Sequence, residues 1–255
     1  MTARSRGLRW QNMNLKYTFS GHLFISSDDD CHAIVDAMLA TGYNEEFCIA
    51  GNFDAEFTAR LMEAGFLIMS MKLYGEESEN EANIRQDDYI SLPKLHLERS
   101  ALFFENLHIK KSIRRLLDCY ELKPDVEFDR IIDRCVEKHG GDWLTPPLVE
   151  CIKKIRQSSL LKKTAYPSSF ALYRNNKLVA AEFGIICGKV YTSYSGFYDE
   201  DNAGTVQLIL TTQYLQKNGF SFFDLGMPMD YKESLGAVNI YPEEFVRLFR
   251  SASVL

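Results

Sequence analysis

The chain has 255 residues, 46% of them hydrophobic and 25% charged, a balance that is typical of a globular protein and excludes wholesale disorder. No apolar run approaches the roughly 20 residues that span a bilayer, and no apolar segment follows the N-terminal arginines, as a secretory signal requires. The formal net charge of −6 argues against a protein whose main role is to grip DNA. We therefore expect a cytoplasmic protein that binds neither DNA nor a membrane.

Cysteines and histidines give no sign of a metal site. The six cysteines contain no CxxC pair, and the five histidines show neither HxxxH nor HExxH spacing. Most of the cysteines have apolar neighbours, which predicts buried free thiols in a reducing compartment. We expect no metal and no cofactor.

The first part of the chain predicts a small α/β N-terminal domain over residues 21–95. Residues 1–20 show little periodicity and predict a disordered tail, and the acidic residues 75–88 predict a solvated loop. Asp54 is a candidate N-cap for a helix that Gly65 ends. The predicted elements are helices over 28–42 and 54–65 and strands over 47–51, 66–73 and 89–92.

The remainder, residues 96–255, predicts a second and larger domain. A strand over 101–104 precedes helices over 110–120, 128–139 and 145–155. The period then changes to strands over 170–173, 178–187 and 190–195, followed by a helix over 202–217, a strand over 220–225 and helices over 230–235 and 242–250. This order is similar to that of GNAT-type acyltransferases, whose fourth and fifth strands splay apart to admit the acyl donor. The fold class is therefore predicted as α+β, with a GNAT-like acyl-N-acyltransferase fold in the C-terminal domain.

Five motifs in order resemble one protein family. They are IAGNF at 49–53 with EAGF at 63–66, LHI at 107–109 before a basic segment, DWLT at 142–145, GKVYTSYSGFYDEDNAGT at 188–205, and FDLGMPMDYKESLGAVNI at 223–240. Together they make the chain similar, from about residue 47 to 250, to the leucyl/phenylalanyl-tRNA–protein transferases.

The resemblance implies transfer of leucine or phenylalanine from aminoacyl-tRNA to the N-terminal Lys or Arg of a protein. This aminolysis of an ester needs a pocket for the amino-acid side chain, stabilisation of the developing oxyanion and an acceptor for the proton of the incoming amine. An aromatic surface is expected to stack on the 3′ adenosine of the tRNA. The implied partners are aminoacyl-tRNA and a protein or peptide amine, and we expect a monomer.

The residues that match the chemical positions of the family are mostly changed. Asp224 matches an Asp of the family, but Gly226 replaces its Gln, Tyr194 replaces its Glu, and Glu182 replaces an apolar pocket residue. We predict Asp224 and Tyr194 as catalytic residues, and an altered donor specificity. Asp224 could instead cap the next turn. Glu182 could face solvent, whereas on the pocket wall it would favour a cationic or polar donor.

Further residues are assigned to binding through the same resemblance. Trp143 is either a stacking platform for adenine or a core residue near a helix start. The predicted substrate-binding residues are Trp143, Glu182, Tyr191, Ser195, Phe197, Asn202, Phe223 and Gly226. The predicted tRNA contacts are Lys110, Lys111, Arg114, Arg115, Lys153 and Lys154, although charged helix faces are common in proteins without such a role.

Two alternative functions stay open. A GNAT-type enzyme that uses acyl-CoA is disfavoured, because the turn before the long helix carries Asp199, Glu200 and Asp201, which would repel a pyrophosphate. A non-catalytic relative that binds tRNA or a peptide is supported by the changed chemical positions.

Overall fold

The computed structural model describes residues 15–73 and 88–253, and these residues form an α+β structure with two β-sheets. The first sheet has the strand order β1-β2-β3-β5-β4. Its strands are β1 (Lys16–Tyr17), β2 (Leu23–Ile25), β3 (Ile49–Ala50), β4 (Leu67–Lys72) and β5 (Tyr89–Lys94), and helices α1 (Cys31–Thr41) and α2 (Ala55–Glu63) lie between them in the chain.

The two helices of this part begin at aspartates, as the sequence predicts. The Asp30 side chain accepts hydrogen bonds from two backbone N–H groups of α1, and Asp54 accepts one from the Phe57 N–H of α2. The predicted disordered tail is wrong for β1, which pairs with β2, while residues 1–14 lie outside the described residues. The predicted loop over 75–88 also lies outside them, except for Asp88.

The second sheet has the strand order β12-β6-β11-β10-β9-β8-β7. Its strands are β6 (Arg99–Leu102), β7 (Glu121–Pro124), β8 (Tyr166–Arg174), β9 (Lys177–Cys187), β10 (Val190–Tyr198), β11 (Phe222–Asp224) and β12 (Val238–Ile240). The β8–β9 and β9–β10 hairpins are antiparallel, and β10 and β11 run parallel. Asn175 and Asn176 both have positive φ, the conformation that a tight hairpin turn requires.

Six helices accompany the second sheet. They are α3 (Lys111–Arg114), α4 (Phe128–His139), α5 (Pro146–Gln157), α6 (Ala203–Lys217), α7 (Asp230–Ser234) and α8 (Pro242–Ser253). The predicted helix over 110–120 is wrong beyond Arg114, where the chain continues through a short 3₁₀ turn, Leu117–Cys119. Strands β7 and β12 were not predicted from the sequence, because they are edge strands too short to show a period.

The largest core cluster contains residues from both sheets. Phe57 and Ile68 from the first part belong to the same cluster as Phe183 and Phe222 from the second sheet. The strands of the first sheet end at Lys94 and those of the second begin at Arg99. The division into 21–95 and 96–255 stays a prediction.

Most of the cysteines are buried, as their apolar neighbours predict. All six cysteines are free thiols; five are buried and Cys119 is exposed. Across residues 15–73 and 88–253, the helices are all too short or too polar to cross a bilayer.

A gap opens where β10 and β11 part. The two strands pair from Val190 with Phe222 to Thr192 with Asp224. After Thr192, β10 no longer pairs with β11 and keeps only its pairing with β9 among the described strands. A β-bulge falls in β10 between Ser193 and Ser195. The chain after β11 turns away through Gly226, whose φ of +70° suits glycine.

Candidate functional site

A cavity of about 570 Å³ occupies the gap between β10 and the chain that follows β11. Its walls come from the bulged part of β10, from the turn after β11, from α7, and from β4 and the end of α4. The described residues that line it are Leu67, Met69, Lys94, His96, His139, Trp143, Ser193, Tyr194, Ser195, Gly196, Leu208, Leu225, Gly226, Met227, Met229, Tyr231 and Lys232. No aspartate or glutamate is among these lining residues.

Asp224 lies behind the cavity wall and is fully buried. The Arg99 guanidinium donates to both of its carboxylate oxygens, from Nε to Oδ1 at 2.8 Å and from Nη2 to Oδ2 at 2.6 Å. Thr192 Oγ1 donates to Oδ2 at 2.8 Å and the Gly226 N–H donates to Oδ1 at 2.9 Å. Asp224 is therefore not a lining residue: its oxygens hold together β6, β10 and the turn after β11, and the bond from Gly226 is the turn cap that was the alternative prediction.

Tyr194 does line the cavity, but its hydroxyl is engaged elsewhere. The Ile68 N–H donates to Tyr194 Oη at 3.0 Å, which joins the bulge of β10 to β4. Burial raises the pKa of Tyr194 far above its usual value, so its hydroxyl stays protonated at neutral pH. A role for Tyr194 as a proton acceptor is not compatible with this environment.

Glu182 is buried, with 2% of its surface exposed, so the solvent-facing alternative is wrong. Ser193 Oγ donates to Glu182 Oε2 at 2.7 Å, and Gln207 Nε2 donates to Oε1 at 2.8 Å. Burial raises the pKa of Glu182 to about 7, although hydrogen bonds from Ser193, Gln207 and Thr211 and the Lys232 cation oppose the rise. Glu182 is separated from the cavity by Ser193, which does line it.

Lys232, on α7, brings an amino group to the cavity. Its Nζ donates to the backbone carbonyls of Leu225 and Met227, at 2.7 and 2.6 Å. An ammonium group has three donors, so one remains after these two bonds. Burial lowers the pKa of Lys232 to about 8, and the neighbouring Asp224 carboxylate opposes this shift. Lys232 is therefore largely cationic at neutral pH.

His96 is a buried wall residue with an unusual backbone, at a φ of +59°. Neither ring nitrogen has a hydrogen-bond partner among the described residues. Burial and the nearby cations Arg99, Lys94 and Lys232 lower its pKa to about 2, so the imidazole is neutral. Both ring nitrogens are buried, so His96 places two unsatisfied polar atoms beside the cavity.

Three of the predicted binding residues lie on the cavity wall: Trp143, Ser195 and Gly226. The backbone carbonyl of Trp143 accepts hydrogen bonds from the Ser70 N–H at 3.0 Å and from Ser70 Oγ at 2.7 Å. These bonds hold the backbone of Trp143 beside β4. The roles of the three residues stay predictions.

Four other predicted binding residues lie away from the cavity. Tyr191 and Phe223 are fully buried in a core cluster with Leu215, because α6 covers that face of the sheet. Phe197 is buried beneath the guanidinium of Arg134, 3.9 Å from its ring centre. Asn202 is exposed at the start of α6, with a φ of +66° and no capping bond from its side chain. None of the four lines the cavity, and their role in substrate binding stays a prediction.

The two basic segments differ in their environment. Lys110, Lys111, Arg114 and Arg115 are all exposed. Lys153 instead pairs with Asp133 at 2.8 Å, and Lys154 pairs with Glu150 at 2.7 Å. The first segment therefore offers more uncompensated positive charge to a polyanion than the second.

Several cavity residues were not found from the sequence: Ser193, His96, His139 and Lys232. Both Ser193 and Lys232 lie within segments that carry the family resemblance. Ser193 precedes Tyr194 and Lys232 precedes the SLGA segment, so their positions in the sequence could have indicated a place in the site. His96 and His139 have no such signal. Within the described ranges, no three His, Cys, Asp or Glu side chains are placed to hold a metal ion.

Comparison with known proteins assigns the chain to a class and then to a family. Residues 101–250 match the family model described as leucyl/phenylalanyl-tRNA protein transferase, which places the chain among the aminoacyltransferases. Since this match covers more than half of its length, the chain belongs to the leucyl/phenylalanyl-tRNA protein transferase family. The match starts at residue 101, so the resemblance predicted for residues 47–100 stays a prediction.

Individual relatives agree with this assignment. The leucyl/phenylalanyl-tRNA–protein transferase of Campylobacter jejuni strain RM1221 is 27% identical over 152 residues, which are 60% of this chain and 67% of that protein. The protein of the same name from Pseudomonas putida strain W619 is 28% identical over 144 residues, which are 54% of this chain and 61% of that protein. The chain thus spans about two thirds or less of the length of these relatives.

Solved structures show weaker likenesses. L-PGS from Bacillus licheniformis is 12% identical, with a TM-score of 0.41, and the match covers 100% of this chain and 93% of that one. FemX is 10% identical, with a TM-score of 0.43, and the match covers 89% of this chain and 80% of that one. Likenesses of this size do not identify a fold.

Proposed function

We propose that this protein transfers an aminoacyl group from aminoacyl-tRNA to the amine of a protein N-terminus or of another acceptor. The observation that carries the proposal is the cavity of about 570 Å³, where Trp143, apolar side chains and Lys232 meet and where the described lining includes no carboxylate. Family membership supports the class of reaction. The parting of β10 and β11 at this cavity supports a GNAT-like fold, in which the acyl donor enters between two splayed strands.

Three requirements of the reaction have a candidate on the cavity wall. The indole of Trp143 offers a stacking surface for the terminal adenine. The free donor of Lys232 can stabilise negative charge that develops on the carbonyl oxygen of the ester. Leu67, Met69 and Leu208 supply an apolar surface for the side chain of the transferred amino acid.

The donor specificity is a finer part of the proposal. A cationic donor was expected only if Glu182 lay on the pocket wall, and Glu182 is not a lining residue. The Lys232 cation would also repel a cationic donor. The hydroxyls of Ser193 and Ser195 stand beside the apolar wall. We expect the accepted donors to include uncharged polar side chains as well as apolar ones, a range that differs from leucine and phenylalanine alone.

A transfer assay tests both parts. The protein is incubated with tRNA charged separately with leucine, phenylalanine, methionine, glutamine or lysine, and with peptides that begin with Arg, Lys or Ala. Mass spectrometry of the peptides is expected to show transfer from uncharged donors and none from lysyl-tRNA. Absence of transfer from every charged tRNA would overturn the proposed function. Transfer from lysyl-tRNA, or from leucyl- and phenylalanyl-tRNA only, would overturn the proposed specificity.

A non-catalytic relative that binds tRNA is the second candidate. It is favoured by Asp224 and Tyr194, the two predicted catalytic residues, because both are occupied in structural hydrogen bonds. Salt-sensitive binding of tRNA by a protein that transfers nothing would support this candidate instead.

A further inference from the structure

Glu182 is a buried carboxylate without an ion-pair partner among the described residues. It lies on β9, opposite Gly196 of β10, and is bonded to Ser193 and Gln207. Gln207 also donates to Thr211 Oγ1 at 3.2 Å, which holds the Gln207 side chain in place on α6. Burial of a carboxylate is unfavourable even when it is hydrogen bonded. A buried, ionisable group next to a cavity is a candidate for proton chemistry.

Ser193 connects this carboxylate to the cavity. Its hydroxyl donates to Glu182 Oε2 at 2.7 Å, and Ser193 is itself a lining residue. A hydroxyl has one proton to donate and two lone pairs that accept. Because the proton points to Glu182, the lone pairs of Ser193 Oγ are available to an N–H donor. A single hydroxyl thus joins a donor in the cavity to the buried carboxylate.

The positions that carry a carboxylate or amide in the family have lost that chemistry here. Tyr194 replaces the Glu, and Gly226 replaces the Gln. Asp224 is retained but is bonded to Arg99 on both oxygens. Glu182 lies on β9 and Ser193 on β10, next to the bulge between Ser193 and Ser195, so a carboxylate is present beside this part of the cavity wall.

We propose that Ser193, backed by Glu182, accepts the proton of the attacking amine. This inference rests on the proposed function. The neutral amine attacks the ester carbon and forms the C–N bond, while its proton passes to Ser193 Oγ and the proton of Ser193 passes to Glu182 Oε2. Collapse of the tetrahedral intermediate breaks the C–O bond to the ribose, and the proton returns through Ser193 to the leaving ribose oxygen. The products are an amide and an alcohol, and Glu182 is ionised again.

The electrostatic environment of Glu182 suits this role. Burial brings its pKa to about 7, close to the pH at which a general base works best. Tyr191 of β10 and Cys135 of α4 are ionisable groups near Glu182. Burial raises the pKa of each, that of Cys135 to about 12, so both stay neutral and add no negative charge. Tyr231 has a raised pKa too, and Lys232 of α7 supplies positive charge. The Lys232 cation opposes the effect of burial on the pKa of Glu182.

The test is single-turnover transfer from leucyl-tRNA to an Arg-peptide between pH 5.5 and 8.5. At pH 8 we expect Glu182→Gln to slow transfer about 100-fold or more, since general-base catalysis contributes about 10²–10⁴-fold. Ser193→Ala should slow it similarly, and Ser193→Thr, which keeps the hydroxyl, should restore most of the rate. The ratio of the wild-type rate to the E182Q rate cancels the titration of the acceptor amine. This ratio should fall towards one as the pH drops below about 7, which a merely structural role would not produce.

Matched controls are the exposed residues Glu244 and Ser251 on α8, whose substitution as E244Q and S251A should leave the rate unchanged. Melting temperatures of all variants at pH 8 verify that each is folded. If wild type and E182Q transfer at rates within about threefold at pH 8, or their ratio does not depend on pH, the relay is overturned while the proposed function stands. If the wild type transfers nothing from any charged tRNA, the proposed function and the relay both fall.

Discussion

Arg99 and Asp224, 125 positions apart in the chain, form a bidentate ion pair with 1% and 0% of their side chains exposed. The Arg99 guanidinium also lies 4.4 Å from the ring centre of Phe245 on α8. The pair therefore ties β6, β11 and α8 together directly behind the cavity. Its position makes Asp224 a residue on which the shape of the site depends.

Replacement of Asp224 by Asn should destabilise the protein severely. The variant leaves the Arg99 cation buried without a counter-charge, and loss of one partner of a buried pair costs about 3–5 kcal/mol. Urea unfolding measures the change, and E244Q, which removes the exposed pair of Glu244 with Arg247, is the control and should cost less than about 1 kcal/mol. A D224N variant as stable as E244Q would contradict this account. If D224N is destabilised as expected, loss of transfer in D224N or D224A reflects a disturbed site and not a lost catalytic group.

Glu182→Gln should stabilise the protein at high pH and not at low pH. Below about pH 4.5, the ordinary pKa of the group, Glu182 is protonated in the folded and unfolded chains alike. As the pH rises to about 7, the unfolded chain ionises first and the wild type loses stability. The difference between these pKa values corresponds to roughly 3 kcal/mol, an upper limit for the gain of E182Q at pH 8.

Urea unfolding of wild type and E182Q at pH 4.5 and pH 8 measures this difference. E244Q, an exposed Glu to Gln change, should show the same stability relative to the wild type at both pH values. An equal effect of E182Q at the two pH values would show that the pKa of Glu182 is the same in the folded and unfolded chains.

The elements that the sequence predicted best are those with a long and regular period. Helix α4 has the predicted bounds, Phe128–His139, since four of its apolar residues face one side and Gly140 follows it. The β8–β9–β10 order was predicted for the same reason. The short strands β7 and β12 carry no readable period, and they form only because neighbouring strands offer free backbone groups.

The site was predicted less well because its chemistry depends on register and on distant partners. Asp224 was found at a strand end, but its partner Arg99 lies on a strand that the sequence analysis placed two residues too late. Glu182 lies in an apolar strand, and the sequence does not show that Ser193 and Gln207 meet it. The bulge at Tyr194 turns neighbouring residues of β10 towards the cavity, and bulges have no reliable sequence signature.

The exposed basic segment before β7 should contribute to tRNA binding. Simultaneous Ala substitution of Lys110, Lys111, Arg114 and Arg115 should weaken binding and lower the slope of log affinity against log salt by about 3, since each phosphate contact contributes about 0.7–0.9. Fluorescence anisotropy titrations of labelled tRNA at about 50 to 200 mM salt measure the slope. The double variant K153A/K154A is the matched comparison and should have less effect, because both lysines already pair with carboxylates. The reverse order of effects would place the tRNA on α5.

Trp143→Ala should weaken binding of the 3′ end of the donor. Stacking of a base on an aromatic side chain contributes about 1–3 kcal/mol, so we expect roughly 5- to 150-fold lower affinity for a 3′-aminoacyl-adenosine analogue, and a smaller loss for W143F. Calorimetric titration measures the affinity. The chain has two tryptophans, so W143A also removes any ligand-induced change of fluorescence that comes from this indole. Unchanged affinity in W143A would mean that the indole only packs against the wall.

Gly236→Ala should disturb the cavity from outside it. Gly236 has a φ of +99°, and a Cβ there would lie 1.9 Å from the backbone oxygen of Asn106. The adjacent Leu235 carbonyl accepts the His108 N–H at 2.9 Å, so α7 cannot move away without losing that bond. We expect destabilisation of at least about 2 kcal/mol from strain and overlap combined.

Gly141→Ala is the control, because its Cβ would meet nothing within 4 Å. Since α7 carries Lys232, transfer by folded G236A should also fall, and a G236A variant with the stability and activity of G141A would show that this loop adapts freely.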